Sequence, residues 1–268
     1  GLNGLGCKLC NIFSTKFIVD VVDHKNKKHF NQEWTDNMSN VGKAHVQKSS
    51  NKHSSIKVTF YPDFQRFGIK NLDNDHYNLF YRRAIDIAGM NSKLKVYFND
   101  VKIETNNFKS YIELHYPKES KDNIYLDESN DRWKVGVLYR QDLGNEVISF
   151  VNSINTYHGG NHVNHVTDQI YKYLIDIIKK KSKDIKVNNQ LLKDNLIFFI
   201  NTTLENPVFS SQTKDVCTSK PDKFGSKYDP TPVFLKKLAK CGIVEQVIEL
   251  AKFKENAGLK KTDGKKQV

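Results

Sequence analysis

The sequence predicts a chain of mixed α+β and α/β class. Three observations carry that. Runs rich in β-branched and aromatic residues, such as Lys16-Phe17-Ile18-Val19-Asp20-Val21-Val22 and Leu196-Ile197-Phe198-Phe199-Ile200, read as strands. Residues 72–88 and 163–178 carry apolar side chains at helical spacing. A strand, a long helix and a second strand follow one another across residues 147–200, the order of a βαβ unit on a sheet. With 268 residues, 38% of them hydrophobic, the chain has room for one large domain or two ordinary ones.

The elements follow in order. Gly1-Leu2-Asn3-Gly4-Leu5-Gly6-Cys7-Lys8 is a glycine turn that leads into a helix through Leu9-Cys10-Asn11-Ile12-Phe13. The strand at 16–22 is nearly continuous in apolar residues, so burial on both faces is expected. His29-Phe30-Asn31-Gln32-Glu33-Trp34 alternates as the return strand of a hairpin, and 36–55 is polar, with a loop expected around Asn40 to Ser50. Ile56-Lys57-Val58-Thr59-Phe60-Tyr61 is a further strand, stopped by Pro62. The helix at 72–88 gathers Leu79, Phe80, Ala84, Ile87 and Ala88 on one side, exposes Arg82 and Arg83, and ends at Gly89. Asn99-Asp100 joins two short strands as a hairpin turn.

A new element starts at Phe108, and residues 117–131 are charged and read as exposed loop. This composition shift divides a first domain, 1–107, from a second, 108–268. The second opens with strands at 133–139 and 147–152, then a turn at His158-Gly159-Gly160-Asn161-His162. The helix at 163–178 carries Ile170, Tyr173, Leu174, Ile177 and Ile178 as its stripe and ends in a lysine run. Further helices are expected at 233–238 and 244–253, and the charged tail at 260–266 is expected to fray.

Lysine and arginine total 42 against 30 acidic residues, and the net charge of +12 suits a polyanionic partner. No apolar run is long enough to cross a membrane, and no leader opens the chain, so no membrane partner is expected. Without an initiator Met, the chain reads as part of something longer. Cys7 and Cys10 form C-x-x-C, but Cys217 and Cys241 do not supply the second pair a zinc site needs. They read as small residues on a helix turn in a reducing compartment. His158, His162 and His165 suggest a metal site, but only His162 and His165 stand near ligand spacing, at i and i+3, with no third ligand evident, and core or surface histidine is the reading. Glu119, Asp122, Asp127, Glu128 and Asp131 read as solvated surface, so no metal ligand is assigned.

Taken alone, the opening glycines have two readings, a plain glycine-rich turn or an anion cradle, and what lies further along the chain supports the second. Glycine permits positive φ and close approach to a ligand. Successive N–H groups and a helix N-terminus then make an anion cradle, with Lys8 adding a point charge. The spacing differs from the P-loop, because Leu9 stands where Ser or Thr would hold Mg²⁺.

Three segments together resemble a known family. They are Gly1 to Ser14, then Ser149-Phe150-Val151-Asn152-Ser153 with Gly159-Gly160-Asn161-His162-Val163, then Glu205-Asn206-Pro207 with Ser211-Gln212-Thr213-Lys214. Their order is similar to the ATPase–transducer region of eukaryotic-type (type IIA) DNA topoisomerase II. Phe60, Pro62-Asp63, Phe67, Tyr81-Arg82-Arg83 and Asp86-Ile87-Ala88-Gly89 fit the same family. The resemblance spans essentially the whole chain.

It implies part of a GHKL (Bergerat-type) α/β sandwich over 1–107 and a transducer domain with a mixed sheet and a βαβ crossover over 108–268. ATP is the implied cofactor. Gly1, Leu2, Asn3, Gly4, Leu5, Gly6, Cys7 and Lys8 would form the phosphate cradle, joined by Gln212, Thr213 and Lys214. Lys214 would be the catalytic lysine on the γ-phosphate. The catalytic Glu and the Asn that holds Mg²⁺ are expected upstream of Gly1. Leu2 and Leu5 depart from the family's Arg and Tyr, and Ile56 from its Thr.

Lys179, Lys180 and Lys181 have two readings: a solvated helix end, or the family's lysine-rich loop on double-stranded DNA. The resemblance further implies a homodimer in the nucleus, as part of an isomerase that passes one duplex through another. A non-catalytic DNA-binding or dimerisation module is the alternative from another class. Another GHKL enzyme, such as a mismatch-repair ATPase, is the alternative within it.

Overall fold

A computed structural model describes residues 4–116, 123–141, 146–183, 185 and 189–263. The chain divides into two compact units, Gly1–Asn78 and Leu79–Val268.

The first unit holds helix α1 (Leu5–Ile12) and strands β1 (Ser14–Asp23), β2 (Lys28–Thr35), β3 (Asn40–Val41), β4 (His45–Lys48) and β5 (Ser55–Pro62). The strands form one antiparallel sheet in the order β3-β2-β1-β5, with β4 also paired to β2. Phe17 of β1 lies opposite Trp34 of β2 and Phe60 of β5. Two expectations are corrected. Of the apolar residues in β1, Phe17 and Val22 are buried, whereas Ile18, Val19 and Val21 are only half-buried. An antiparallel sheet can leave one face open, and Ile56 and Val58 on β5 are exposed. The loop expected around Asn40 to Ser50 is not all loop, because β3 and β4 lie within it and add to the edge of β2. Strands of two and four residues are too short for periodicity to reveal.

Helix α2 (Asn74–Met90) buries Asp86, Ala88, Gly89 and Met90. Leu79 and Phe80, expected on its apolar side, are exposed. Gly89 does not end the helix but lies inside it. A Cβ there would stand 2.7 Å from the Tyr111 side chain, so this glycine serves close helix packing. Tyr111 in turn donates its hydroxyl to buried Asp86 at 2.8 Å. Burial is the main cause that holds the Asp86 carboxyl above its usual range.

The second unit continues with strands β6 (Tyr97–Phe98) and β7 (Val101–Lys102), helix α3 (Phe108–His115), and strands β8 (Ile124–Asn130), β9 (Trp133–Tyr139), β10 (Val147–Val151) and β11 (Ile154–Asn155). Helices α4 (Asn161–Lys181) and α5 (Asn189–Lys193), strand β12 (Leu196–Thr202), and helices α6 (Pro232–Ala239) and α7 (Ile243–Asp263) follow. Asn99 and Asp100 both take positive φ, as the hairpin turn between β6 and β7 requires. Asn107 and Ser110 form a capping box at the start of α3.

The main sheet has the order β11-β10-β12-β9-β8. β10 and β12 are parallel and the other pairs antiparallel, so the crossover through α4 and α5 lies in a mixed sheet. Both faces are covered, which explains why β12 is apolar without alternation. Ile197 and Phe199 pack with Met90, Phe108, Tyr111 and Ile112 on one side. Leu196, Phe198 and Ile200 pack with Trp133, Ile170, Leu174, Leu238 and Val247 on the other.

The charged stretch 117–131 is also corrected in part. Residues 117–122, including Glu119 and Asp122, lie outside the described residues. Ile124–Asn130 is strand β8, and Asp127 is buried rather than solvated. Its carboxylate accepts from Ser129 Oγ at 2.8 Å, Tyr228 OH at 3.2 Å and the Thr231 amide at 2.9 Å. These bonds tie β8 to the start of α6 and satisfy a charge that burial would otherwise penalise.

Candidate phosphate-binding turn and lysine hairpin

The first candidate lies at the start of α1. Gly1, Leu2 and Asn3 fall outside the described residues. Gly4 caps the helix with φ 61°, and among the described residues no side chain bonds the first-turn N–H groups. Those donors therefore remain open to an external acceptor. Leu5, Gly6, Cys7 and Lys8 are exposed beside them. The other end of the helix is tied down: the Ile12 carbonyl accepts from Asn37 Nδ2 at 2.9 Å and from Arg66 Nη1 at 3.1 Å. The Arg66 guanidinium also lies over the Phe13 ring at 5.3 Å. A helix anchored at its C-terminus and open at its N-terminus can receive an anion without rearranging.

The second candidate lies in the second unit. The Ser210 amide donates to the Val216 carbonyl at 3.1 Å, and the Thr218 amide to the Val208 carbonyl at 2.9 Å. These bonds make a hairpin with Ser211, Gln212, Thr213, Lys214 and Asp215 at its tip. Lys214 takes φ 62°, and its amide closes the tip on the Ser211 carbonyl at 3.1 Å. The Thr213 hydroxyl bonds the Asp215 carboxylate and also meets Ser211 Oγ at 2.7 Å. Gln212 is exposed. The Lys214 ammonium lies 5.8 Å from the centre of the Phe209 ring, a contact the spacing of residues gave no means to foresee.

The returning arm of this hairpin, from Asp215 on, is bonded to the segment that opens α4. The His158 amide donates to Asp215, the Cys217 amide to Gly159, and the Asn161 amide to Cys217, each at 3.0 Å. In the sequence, Gly159-Gly160-Asn161-His162 read as a turn and as part of the family resemblance, and neither reading indicated a contact with the hairpin.

The third candidate, the run Lys179, Lys180 and Lys181, forms the last turn of α4 and is exposed. Lys181 bonds Glu245 of α7 at 2.5 Å, and that bond is the main cause that holds the Glu245 carboxyl below its usual range. No ion pair involves Lys179 or Lys180 among the described residues. Two of the three are therefore open to an outside anion.

Among the described residues no three His, Cys, Asp or Glu converge as a metal-binding group. His162 is a core residue: its Nε2 lies 3.2 Å from Thr156 Oγ1 and its Nδ1 has no partner. No helix among the described residues is long and apolar enough to cross a membrane.

The DNA gyrase B family model matches residues 90–266. The chain belongs to the DNA gyrase B family. Within it, the similarity runs to DNA topoisomerase 2 of Acanthamoeba polyphaga mimivirus, 44% identical over 99% of this chain and 21% of the relative. DNA topoisomerase 2-alpha of Homo sapiens is 41% identical over 97% of this chain and 17% of the relative. The chain thus spans about a fifth of the length of such relatives.

Solved gyrase B-family structures agree on the fold. The ATPase region of Saccharomyces cerevisiae topoisomerase II superposes with a TM-score of 0.81 at 39% identity, over 92% of this chain and 64% of that one. The ATPase and transducer domains of Balamuthia mandrillaris topoisomerase II give 0.88 at 35% identity, over 94% and 65%. The partial GHKL fold with a transducer is therefore the architecture of this gyrase B-family chain, as its eukaryotic-type topoisomerase II motifs implied.

Proposed function

We propose that this chain supplies the phosphate-binding and transducer part of an ATP-dependent type II DNA topoisomerase. In this reading the enzyme is a homodimer whose ATP-driven closure traps one DNA duplex for passage through another. The observation that carries it is the pair of anion-ready elements within a topoisomerase II-like fold: the uncapped N-terminus of α1 and the lysine-bearing hairpin tip. Gly4 and the first-turn amides of α1 bind triphosphate oxygens, with Lys8 adding charge. Gln212, Thr213 and Lys214 form the tip that recognises the γ-phosphate, and Lys214 bonds it directly. Such a lysine changes partners when the γ-phosphate leaves, which couples hydrolysis to the transducer.

The described residues supply no cluster of metal ligands. Magnesium neutralises phosphate charge when bound, and in this reading its protein ligand comes from outside the described residues. A nuclear setting belongs to the same proposal and follows from the resemblance to eukaryotic-type enzymes.

The test uses the protein extended to the length of its relatives. Purified with supercoiled plasmid, it should relax the plasmid when ATP is added and not with ADP. Equal relaxation with either nucleotide, or none with ATP, would overturn the proposal.

The end of α4 carries its own prediction. Replacing Lys179 and Lys180 with Ala should weaken duplex binding without changing sequence preference. If both contact phosphate, the slope of log K against log salt should fall by about 1.8, from roughly 0.9 per contact. Adding Lys181→Ala should change the slope little, because Glu245 already neutralises that lysine. An unchanged slope in the double variant would leave the run as a solvated helix terminus.

A further inference from the structure

The hairpin that presents Lys214 is held from below by an unusual contact, and the contact explains why glycine and asparagine stand together at the start of α4. Gly160 caps α4 with φ 133° and ψ −165°, a conformation open essentially to glycine alone. The space beside it is equally restrictive. A Cβ on Gly160 would overlap the Cys217 carbonyl oxygen and lie 2.7 Å from the Cys217 nitrogen. The two backbones touch because no side chain separates them, and Gly160 and Cys217 form a parallel bridge.

The next residue completes the contact. The Asn161 amide donates to Cys217 O at 3.0 Å. Its side-chain Nδ2 donates to Thr218 O at 3.1 Å and to Ser219 O at 3.2 Å. With the His158 and Cys217 amides bonded to Asp215 and Gly159, the returning arm of the hairpin is fastened at every residue from Asp215 to Ser219 but Val216. Val216 instead pairs across the hairpin with Ser210. Asp215 follows Lys214 directly, so the fastening begins one residue past the lysine. Lys214 itself sits in the left-handed region at φ 62°, which a non-glycine residue keeps only where its surroundings impose it.

We propose that Gly160 and Asn161 are positioning residues for Lys214: they clamp the hairpin's returning arm to the rigid start of α4 and so fix where the ammonium is presented. The inference rests on the reading of Lys214 as the γ-phosphate lysine. Its physical content is preorganisation. A lysine on a free loop must be ordered when nucleotide binds, whereas one on a clamped hairpin is ordered beforehand. The clamp joins the hairpin to α4, whose apolar stripe packs into the main core through Val166, Ile170 and Leu174. A shift of the lysine at the tip is therefore carried to a helix rather than absorbed by a loop.

The experiment compares Asn161→Ala, Asn161→Asp, Gly160→Ala and Lys214→Ala in the protein extended to the length of its relatives. Affinities for ADP and for a non-hydrolysable ATP analogue are measured, together with amide hydrogen exchange across residues 208–219. Asn161→Ala removes two donors from the clamp, so exchange in the hairpin should rise and preference for the ATP analogue over ADP should fall by about tenfold. Asn161→Asp keeps the shape but turns a carboxylate toward two carbonyl oxygens, and it should lose at least as much. Gly160→Ala should behave likewise if it folds, and the asparagine variants decide the matter if it does not.

Unchanged ATP-over-ADP preference in both asparagine variants, with Lys214→Ala losing it, would overturn the clamp while leaving the lysine's role intact. Loss of preference without any rise in hairpin exchange would overturn it as well. Unchanged preference in Lys214→Ala would instead overturn the proposed role of the lysine itself.

Discussion

Lys214→Ala should reduce affinity for an ATP analogue by about ten- to a hundredfold while leaving ADP affinity nearly unchanged. The magnitude is that of one charge-assisted hydrogen bond, about 1.5–3 kcal/mol. The asymmetry follows from its proposed partner, since ADP lacks the γ-phosphate. The lysine starts from a weak position: its ammonium lies 5.8 Å from the Phe209 ring, a contact worth about 0.5–1 kcal/mol at an exposed site. Exchanging that contact for a phosphate bond favours the nucleotide.

Lys8→Ala is the contrasting variant. Lys8 stands at an exposed position on the helix whose amides are proposed to bind phosphate oxygens common to both nucleotides. Its loss should weaken ADP and ATP together. Calorimetry with both nucleotides on both variants decides the matter. If Lys214→Ala weakens ADP as much as ATP, the hairpin is not a γ-phosphate sensor.

The second large effect is on stability and comes from His162. Its ring is wholly buried, with one nitrogen 3.2 Å from Thr156 and the other without a partner among the described residues. Burial pushes its pKa down from 6.5 to about 4. A base whose folded pKa is depressed contributes stability above its unfolded pKa and loses it as pH falls toward the folded one. The protein should therefore lose roughly 3 kcal/mol between about pH 6.5 and pH 4, a shift of about 2.5 units at 1.36 kcal/mol each.

Urea unfolding at pH 7 and pH 4.5 of the protein and of His162→Gln isolates this contribution, because the carboxylates act alike in both. His165, whose pKa burial also lowers, acts in the same direction in both. The variant should show the smaller loss on acidification. If both lose equally, protonation of His162 is not what destabilises the fold.

Much of the architecture was legible because the second unit is built from long periodic elements. The stripe of α4 repeats with a helical period over several turns, and the run of β12 is too short for a typical helix and rich in strand-favouring Ile and Phe. The short edge strands β3, β4 and β11 escaped detection, because two to four residues hold no period. Strand β8 was hidden for a different reason. It carries Asp127, Glu128 and Ser129, and a carboxylate reads as solvated until Tyr228 and Thr231, a hundred residues on, supply its donors. Gly89 misled for the same reason: a glycine near a helix end suits a stop signal, but its neighbour Tyr111 comes from another helix.

The candidate site divides along the same line. The sequence by itself pointed to the family, because three short segments resemble its motifs in residue type and in order: the opening glycine stretch, the pair within residues 149–163 and the stretch from Glu205 to Lys214. Each motif is local, so it is written in nearly consecutive letters. Only the tertiary structure decided that Lys181 is neutralised by Glu245, that Lys214 rests over Phe209, and that Gly160 and Asn161 hold the arm beyond it. The first and last are contacts between segments far apart in the chain, set by the packing of α4 against α7 and against the hairpin. The Lys214 contact lies within one hairpin and depends on how its tip folds back, which residue spacing alone does not encode.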